Sequence, residues 1–432
     1  MAHLMSSAPN LYAPTAVPAA TPAALSRGKA WALALVATLT MAVSYVDRQV
    51  LASVGASVTK EFALSETQWG SLVSAFSMAY LVGSPFAGWL IDRIGARRGL
   101  VGAVLVWSIV AASHALMPSF GVLFAMRLAL GLTESPSFPG AAQTVQRALP
   151  PADRARGFGV LFTGSSIGAM IAPLLAAPIA ARWGFRSAFL GVAIVGLLWV
   201  PIWLALAWAK PAREVLDRGV ASSGPRPPLL SIVTHPAVLR GVLPILASAP
   251  AIGFLLNWGA KYLDAVHHLD LDHSKKYLVL VPLFFDLGSL GFGHVASVRA
   301  RGGKRGSGPD RLVFAVAAVF MLALAGVPFA RTPLQAMLLA GIGGAGGAGL
   351  FALSTADMLA RVPPEAVGTA SSVGACAQSI AYIVASPLLG KLLDVSGGYT
   401  LPFLALAAWI LPGCVAWIVW SPPPPHAREA SA

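Results

Sequence analysis

Charged residues are scarce in this 432-residue chain. They make up 11% of it, whereas a typical soluble domain carries about 25%. Hydrophobic residues make up 56% of the chain, and its mean hydropathy is +0.73. This composition excludes an ordinary soluble domain and indicates a polytopic membrane protein embedded in a lipid bilayer.

Cysteine is nearly absent as well, since the chain has only Cys376 and Cys414 and no CxxC motif. We therefore expect no disulfide scaffold and interpret both as small core residues. The sequence also has no Walker motif, nucleophile elbow or HExxH motif, so we predict neither an enzyme nor a cofactor.

Acidic residues are outnumbered by basic ones, 17 to 30, which gives a formal net charge of +13. In a soluble protein this excess would suggest nucleic acid, but a membrane protein concentrates basic residues in its cytoplasmic loops. We expect no nucleic-acid partner. Arginine and lysine are richer in one set of alternate loops, which predicts that both termini and the central connection are cytoplasmic in a bacterial inner membrane.

Long apolar runs are the main positive signal. Each of them is long enough to cross a bilayer. They lie near residues 31–52, 69–91, 99–116, 120–145, 157–181, 186–208, 238–262, 276–298, 312–330, 334–359, 367–393 and 398–420. The sequence thus predicts an all-α integral membrane protein with twelve transmembrane helices in two six-helix halves.

The predicted domain boundaries follow from these runs. The segments Ala148 to Gly159 and Arg361 to Ser372 are similar, each between the fourth and fifth helix of its half, which indicates a weak internal repeat. We expect a disordered cytoplasmic tail at 1–28, an N-terminal half at 29–208, a cytoplasmic linker at 209–237, a C-terminal half at 238–421 and a cytoplasmic tail at 422–432.

Two opposite charges, Asp47 and Arg48, interrupt the first apolar run. Charges within a spanning helix mark a candidate functional site, because hydrocarbon cannot solvate them. Helical geometry places Tyr45 and Arg48 on one face and Asp47 on another. We predict that Arg48 binds a substrate anion and that Asp47 handles protons.

Two attractive signals are interpreted as structural. The run Gly341 to Gly349 resembles a phosphate loop but lacks the terminal Lys-Ser/Thr and lies in an apolar helix, which favours close helix packing. The group His267, His268, Asp270, Asp272 and His273 has no regular metal-ligand spacing, so we predict a solvated loop and no metal site.

The segment GWLIDRIGARRG, Gly88 to Gly99, matches the loop motif of the major facilitator superfamily, with Ala96 in place of a basic residue. Its counterpart from Gly293 has Ser297 where the aspartate would be. Further stretches, SYVDRQVL, RLALGLTESPSFPGA, GSSIGAMIAPLL, NWGAKYL and FFDLGSLGFG, resemble the anion:cation symporters of that superfamily, especially the hexuronate and aldonate branch. The chain departs from the usual motifs at Ser44, Thr133 and Ser137.

The resemblance implies that Arg48 binds the substrate carboxylate, that Tyr45 and Tyr80 line the same cavity, and that Asp47 and Glu134 are the protonatable pair. Arginine suits this role because its planar fork matches a carboxylate and stays charged in a dry cavity. Arg127 and Glu134 are seven residues apart, hence nearly on one helix face, and we expect them to pair when the site is empty.

Other polar residues in the apolar runs have weaker assignments. We predict substrate contact or helix packing for Lys261, Asn257, Ser166, Ser371, Ser372 and Gln378. Asp92 and Arg93 are expected to latch helices and anchor the inner face without touching substrate. Asp286 is expected to hydrogen-bond within the second half or contribute to gating, and Asp357 to cap or gate the tenth helix.

Together these features predict a monomeric, proton-coupled transporter that imports an organic anion, first a hexuronate and second an aldonate, by alternating access. The alternative is a proton-driven exporter of drugs or metabolites, although exporters more often recognise cationic cargo with acidic residues. A sensor that has lost transport is a third possibility.

Overall fold

The computed structural model describes residues 25–64, 66–217, 228–269, 276–301 and 310–420. Most of the predicted N-terminal tail, the middle of the predicted linker and the C-terminal tail lie outside this part. All regular secondary structure within it is helical.

The first half contains six spans, which we number along the chain. They are span 1, Arg27–Ser53; span 2, Glu66–Ile94; span 3, Ala96–Ser113; span 4, Phe120–Glu134 with Ser137–Ala148; span 5, Pro151–Trp183; and span 6, Phe185–Ala207. The short helix Gly55–Glu61 follows span 1, a 3-10 turn His114–Leu116 extends span 3, and Lys210–Leu216 follows span 6.

The second half repeats this arrangement. It contains span 7, Pro236–His267; span 8, Leu280–Arg301; span 9, Arg311–Met321 continued by the 3-10 helix Leu322–Phe329; span 10, Pro333–Ala360; span 11, Val367–Ser396; and span 12, Thr400–Val419. The short helix Leu229–Val233 precedes span 7, and the 3-10 turn Pro364–Ala366 precedes span 11.

Span 4 is broken within the membrane. In the described part of the chain, 11 helices are individually long and apolar enough to cross a bilayer. Span 4 is missing from that set because it consists of segments of 15 and 12 residues that meet at Ser135 and Pro136. Proline supplies no backbone N–H, so the helical hydrogen bonding is interrupted directly after Glu134. Counting both segments as one span confirms the predicted twelve-helix fold.

The outer surface of the bundle carries large apolar side chains. Phe86 is 67% exposed and Leu174 is 72% exposed, as expected for side chains that face lipid tails. The glycine run in span 10 faces inward instead. A Cβ atom on Gly346 would lie 2.4 Å from the carbonyl oxygen of Ala317 in span 9, so this run allows close helix packing, as predicted.

The two halves meet at one membrane face, which we call the Asp92 face. The Asp92 carboxylate accepts hydrogen bonds from the backbone N–H groups of Gly368 and Thr369, each at 2.7 Å, and from the Thr369 hydroxyl at 2.7 Å. The side-chain amide of Gln143 donates a further bond at 2.9 Å. Asp92 of span 2 therefore caps the first turn of span 11, where unpaired N–H groups favour an anion.

The internal repeat predicted from the sequence is visible at this face. Ser297, the counterpart of Asp92, accepts a hydrogen bond at 3.0 Å from the backbone N–H of Arg156. Arg156 and Thr369 are equivalent residues of the repeated segments. A Cβ atom on Gly88 would lie 2.5 Å from the Gly368 carbonyl oxygen, and one on Gly293 would lie 2.6 Å from the Ala155 carbonyl oxygen.

Further bonds close the Asp92 face. The Gln146 amide donates to the Leu359 carbonyl at 2.8 Å, and Arg301 of span 8 forms an ion pair with Asp153 of span 5. These bonds join the two halves and close the space between them at this end.

Candidate substrate-binding site

A cavity of about 640 Å³ lies between the two halves, within the size range of sites for small molecules. Its wall combines aromatic rings with neutral polar groups. The predicted site residues that line it are Tyr45, Arg48, Tyr80, Ser166, Ser371 and Gln378.

Arg48 supplies a positive charge to this cavity. Its guanidinium carbon lies 4.7 Å from the ring centre of Tyr45, 4.6 Å from that of Phe76 and 4.7 Å from that of Tyr80. Cation–π contacts of this kind hold a guanidinium in place where water is scarce. The Nη2 atom of Arg48 is buried and has no hydrogen-bond partner among the described residues.

Glu134 is the direct partner of Arg48. Its Oε2 atom accepts a hydrogen bond from Arg48 Nε at 2.9 Å and another from the Ser44 hydroxyl at 2.7 Å. The side chain is fully buried, and Oε1 has no partner within the described chain. The break in span 4 directly after Glu134 brings this carboxylate to the end of a helical segment, next to span 1.

The expected pair of Arg127 with Glu134 does not form in this structure. Seven residues along a helix correspond to a rise of about 10 Å, and the Arg48 side chain reaches Glu134 from the neighbouring span instead. The Nε and Nη1 atoms of Arg127 are buried without a partner in the described residues. Arg127 does share the Phe76 ring with Arg48, at 5.2 Å from the ring centre.

Asp47 points away from the central cavity, as helical geometry predicted. It lines a separate small gap together with His114 of the turn after span 3 and Arg127 of span 4. Asp47 is 3% exposed, and neither of its carboxylate oxygens accepts a hydrogen bond from the described residues. The two carboxylates of the predicted protonatable pair therefore have different surroundings.

The second half contributes neutral polar groups to the cavity. The Gln378 amide donates a hydrogen bond at 3.0 Å to the hydroxyl of Tyr382, and both side chains line the cavity. Sequence reasoning missed Tyr382, although it lies one helical turn after Gln378. It also missed Phe76 as a ring neighbour of Arg48; Phe76 and Tyr80 lie four residues apart on span 2, a spacing that places them on one face.

One predicted cavity residue lies elsewhere. The Ser372 hydroxyl donates to the Gly368 carbonyl at 3.0 Å. A Cβ atom on Gly88 of span 2 would lie 2.3 Å from the Ser372 hydroxyl oxygen. Ser372 therefore packs against span 2, because it lies about 100° around span 11 from Ser371. The side chains of Asn257 and Lys261 lie outside the described part of the structure.

The predicted structural residues do not line the cavity themselves, although Asp286 contacts a residue that does. The Arg93 guanidinium lies 3.8 Å from the Trp89 ring centre. Asp357 accepts a hydrogen bond at 2.9 Å from Arg361 and forms an ion pair with Arg240 of span 7. Asp286 lies against the Ser166 hydroxyl, so it meets the first half rather than only the second.

The described residues contain no group of three or more metal-binding side chains. Of the loop group considered in the sequence, Asp270, Asp272 and His273 lie outside the described residues.

Twelve membrane spans in two related halves around a central polar cavity define a secondary transporter. The chain belongs to the Major Facilitator Superfamily, whose family profile matches residues 37–343. Membership confirms the resemblance noted in the sequence, and it makes the protein a multi-pass membrane transporter rather than an enzyme.

Relatives and a solved structure agree with this assignment. The hexuronate transporter of Escherichia coli (strain K12) is 25% identical over 414 residues, covering 91% of this chain and 94% of that protein. The hexuronate transporter of Bacillus subtilis (strain 168) is 27% identical over 244 residues, covering 56% of this chain and 58% of that protein. The structure of the proton:xylose symporter XylE has the same fold, with a TM-score of 0.70 at 16% identity over 90% of this chain and 95% of that chain.

Proposed function

We propose that this protein imports a sugar acid together with protons, with a hexuronate as the first candidate substrate and an aldonate as the second. The ion pair between Arg48 and Glu134 at 2.9 Å in the cavity wall is the observation that carries the proposal. The names of the relatives support the substrate class, and the neutral polar lining supports a polyhydroxylated anion.

Substrate and Glu134 compete for Arg48 in this account. A guanidinium binds one carboxylate well through its planar fork. While Glu134 is ionised and bonded to Arg48 Nε, a substrate carboxylate meets a cation that is already neutralised. Protonation of Glu134 removes that competing charge and makes Arg48 available, so proton binding prepares the site for the anion.

Charge balance also favours binding of the proton together with the substrate anion. Asp47, Arg127 and Glu134 are buried, Arg48 is half-buried, and when all four are ionised they carry two charges of each sign. Protonation of Glu134 leaves one excess positive charge, and a monovalent substrate anion restores neutrality. Since unbalanced charge is costly in a low-dielectric interior, proton and anion bind better together than alone.

The remaining cavity wall suits the hydroxyl groups of a sugar acid. Gln378, Tyr382, Ser165 and Ser166 are neutral donors and acceptors on two sides of the cavity. Aromatic rings between them offer flat apolar surfaces to the carbon skeleton. Asn257 and Lys261 stay predicted substrate contacts from span 7.

Alternating access would open and close the two ends of the cavity in turn. The basic loops favour a cytoplasmic location for the Asp92 face and for both termini of a monomer in the bacterial inner membrane. In that orientation the structure is the state whose cytoplasmic path is closed. Release of the substrate then requires the bonds of Asp92 and Ser297 to break.

Purified protein in proteoliposomes tests this function. We expect radiolabelled galacturonate or glucuronate to accumulate when the external pH is lower than the internal pH, and unlabelled hexuronate to compete more strongly than the corresponding neutral sugar. Accumulation that is independent of the proton gradient would contradict the coupling. Proton-driven efflux of lipophilic cations, with no hexuronate uptake, would favour the exporter instead.

A further inference from the structure

His114 is buried at a site separate from the central cavity. It lies in the 3-10 turn that ends span 3 and is 1% exposed. The gap that it lines also contains Asp47 and Arg127 and is too narrow to admit a water molecule. The charged and polar atoms in this gap therefore have mainly each other as partners.

The hydrogen bonds of His114 identify which ring nitrogen carries the proton. Its Nδ1 atom lies 2.8 Å from the carbonyl oxygen of Val110. Since a carbonyl oxygen can only accept, Nδ1 carries the hydrogen and donates it. The Arg127 guanidinium in the same gap disfavours a second cation, which favours the neutral ring. In that ring Nε2 is an acceptor, and it is buried without a partner in the described residues.

Arg127 has donors that match this acceptor. Its Nε and Nη1 atoms are buried without partners in the described chain, and so are both oxygens of Asp47. Arg127 lines this gap together with Asp47 and His114, so the acceptors that share the gap with its guanidinium are the ionised Asp47 carboxylate and the neutral His114 ring. A protonated Asp47 is the poorer acceptor of the two, because it has lost its charge.

We propose that the neutral imidazole of His114 is the alternate hydrogen-bond acceptor of Arg127, used when Asp47 is protonated. His114 is then a positioning residue, which keeps the Arg127 charge satisfied while Asp47 carries a proton and so raises the proton affinity of Asp47. This inference rests on the proton coupling proposed above.

The other side chains that line the gap, Phe189 among them, are apolar. Phe189 of span 6 stacks on the imidazole with ring centres 5.4 Å apart. Arg186 of span 6 donates to the Met117 carbonyl at 2.5 Å and pairs with Glu61 at 3.4 Å. These contacts hold the turn in place, while Asp47 and Arg127 are the charged residues that line the gap with His114.

Two substitutions of His114 distinguish the role of its Nδ1 atom from that of its Nε2 atom. His114→Asn keeps an N–H near the position of Nδ1 but removes the acceptor at Nε2, whereas His114→Gln can place an amide oxygen near Nε2. Both variants are reconstituted, and hexuronate uptake is measured against external pH. We expect His114→Asn to move the pH of half-maximal uptake down by about one unit, the worth of one hydrogen bond to a charged group. His114→Gln should move it distinctly less.

The possible outcomes are distinct. Unchanged midpoints in both variants, or equal shifts in both, would overturn the role of the Nε2 acceptor. Uptake that is independent of pH in the wild-type protein would instead contradict the proposed function itself.

A second measurement applies if His114→Asn does not fold. The nitrogen NMR resonance of His114 Nε2, assigned by its loss in His114→Gln, is compared between the wild type at high pH and Asp47→Asn, where residue 47 is neutral. A shift typical of an accepted hydrogen bond in Asp47→Asn supports the proposal, and an unchanged resonance overturns it.

Discussion

Arg48 of span 1 and Glu134 of span 4 form an ion pair whose nitrogen and oxygen are 2.9 Å apart, although the residues are 86 positions apart in the sequence. The pair lies beside the cavity, and the Ser44 hydroxyl supports it from the neighbouring turn of span 1. The same arginine cannot serve Glu134 and a substrate carboxylate equally well. The predictions below follow from that competition and from the bonds that close the Asp92 face.

Glu134→Gln should abolish proton-driven accumulation while allowing exchange of substrate across the membrane. Glutamine keeps the shape of the side chain but cannot bind or release a proton, so the site stays in its protonated form. Uptake under a pH gradient and counterflow at equal pH measure the two activities in proteoliposomes. Glu214→Gln, at an exposed residue, is the matched control. Intact accumulation in Glu134→Gln would contradict the coupling.

Arg48→Lys should weaken sugar acid binding at least tenfold. Lysine keeps the charge but lacks the planar fork, and it packs less well between the three aromatic side chains of Tyr45, Phe76 and Tyr80. Together these losses cost roughly 1.5 kcal/mol or more of binding free energy. Ligand that binds the folded state raises the melting temperature, so the measurement is thermal stabilisation of the purified protein by galacturonate. The exposed Arg98→Lys serves as control. Equal stabilisation of both variants would refute the assignment of Arg48.

Tyr382→Phe should reduce affinity for a hexuronate about fivefold while leaving affinity for a short monocarboxylate almost unchanged. The hydroxyl that is lost accepts from Gln378 and faces the cavity, and one neutral hydrogen bond is worth about 1 kcal/mol. Competition against labelled substrate gives both affinities. Tyr277→Phe, which does not line the cavity, is the comparison variant. A parallel loss for both ligands would argue against recognition of a sugar hydroxyl.

Asp92→Asn should loosen the Asp92 face more than Ser297→Ala does. The carboxylate accepts two backbone N–H bonds and a hydroxyl bond from span 11, whereas Ser297 accepts one bond from span 5. Hydrogen bonds to a charged group are worth about 1.5–3 kcal/mol, so we expect about a tenfold faster reaction of Cys376 with maleimide in Asp92→Asn.

Cys376 is a suitable native probe for that experiment, because its sulfur lies 3.5 Å from the Leu81 carbonyl oxygen, between spans 2 and 11. Cys414 is buried within the second half and should stay unreactive in all variants. If Ser297→Ala accelerates labelling as much as Asp92→Asn, the two latches are equivalent and our ranking of them is wrong.

The sequence predicted the spans and the Asp92 motif because both depend on local information. A run of apolar residues long enough to cross a bilayer has few alternatives to a helix, and Asp92 lies in a motif of high specificity. The separation of Tyr45 and Arg48 from Asp47 was also predictable, since it follows from the helical repeat alone.

Side-chain partners across helices were less predictable. Arg127 and Glu134 share a helix face, yet Glu134 bonds to Arg48, because the break at Ser135 and Pro136 and the packing of span 4 on span 1 decide which arginine reaches it. His114 lies at the end of the third apolar run without a motif, and only packing brings it to Asp47. Ser372 follows Ser371 directly, and the helical rotation of about 100° between them means that Ser371 faces the cavity while Ser372 faces span 2.

Proton uptake on substrate binding tests the central claim most directly. Purified protein in weakly buffered detergent solution is mixed with a hexuronate near neutral pH, and the pH change is recorded. Binding that frees Arg48 from Glu134 must draw in protons by linkage, up to about one per bound carboxylate where Glu134 starts ionised. We expect alkalinisation with the wild-type protein and none with Glu134→Gln, although both bind. Substrate binding without proton uptake in the wild-type protein, across the pH range of transport, would contradict the account.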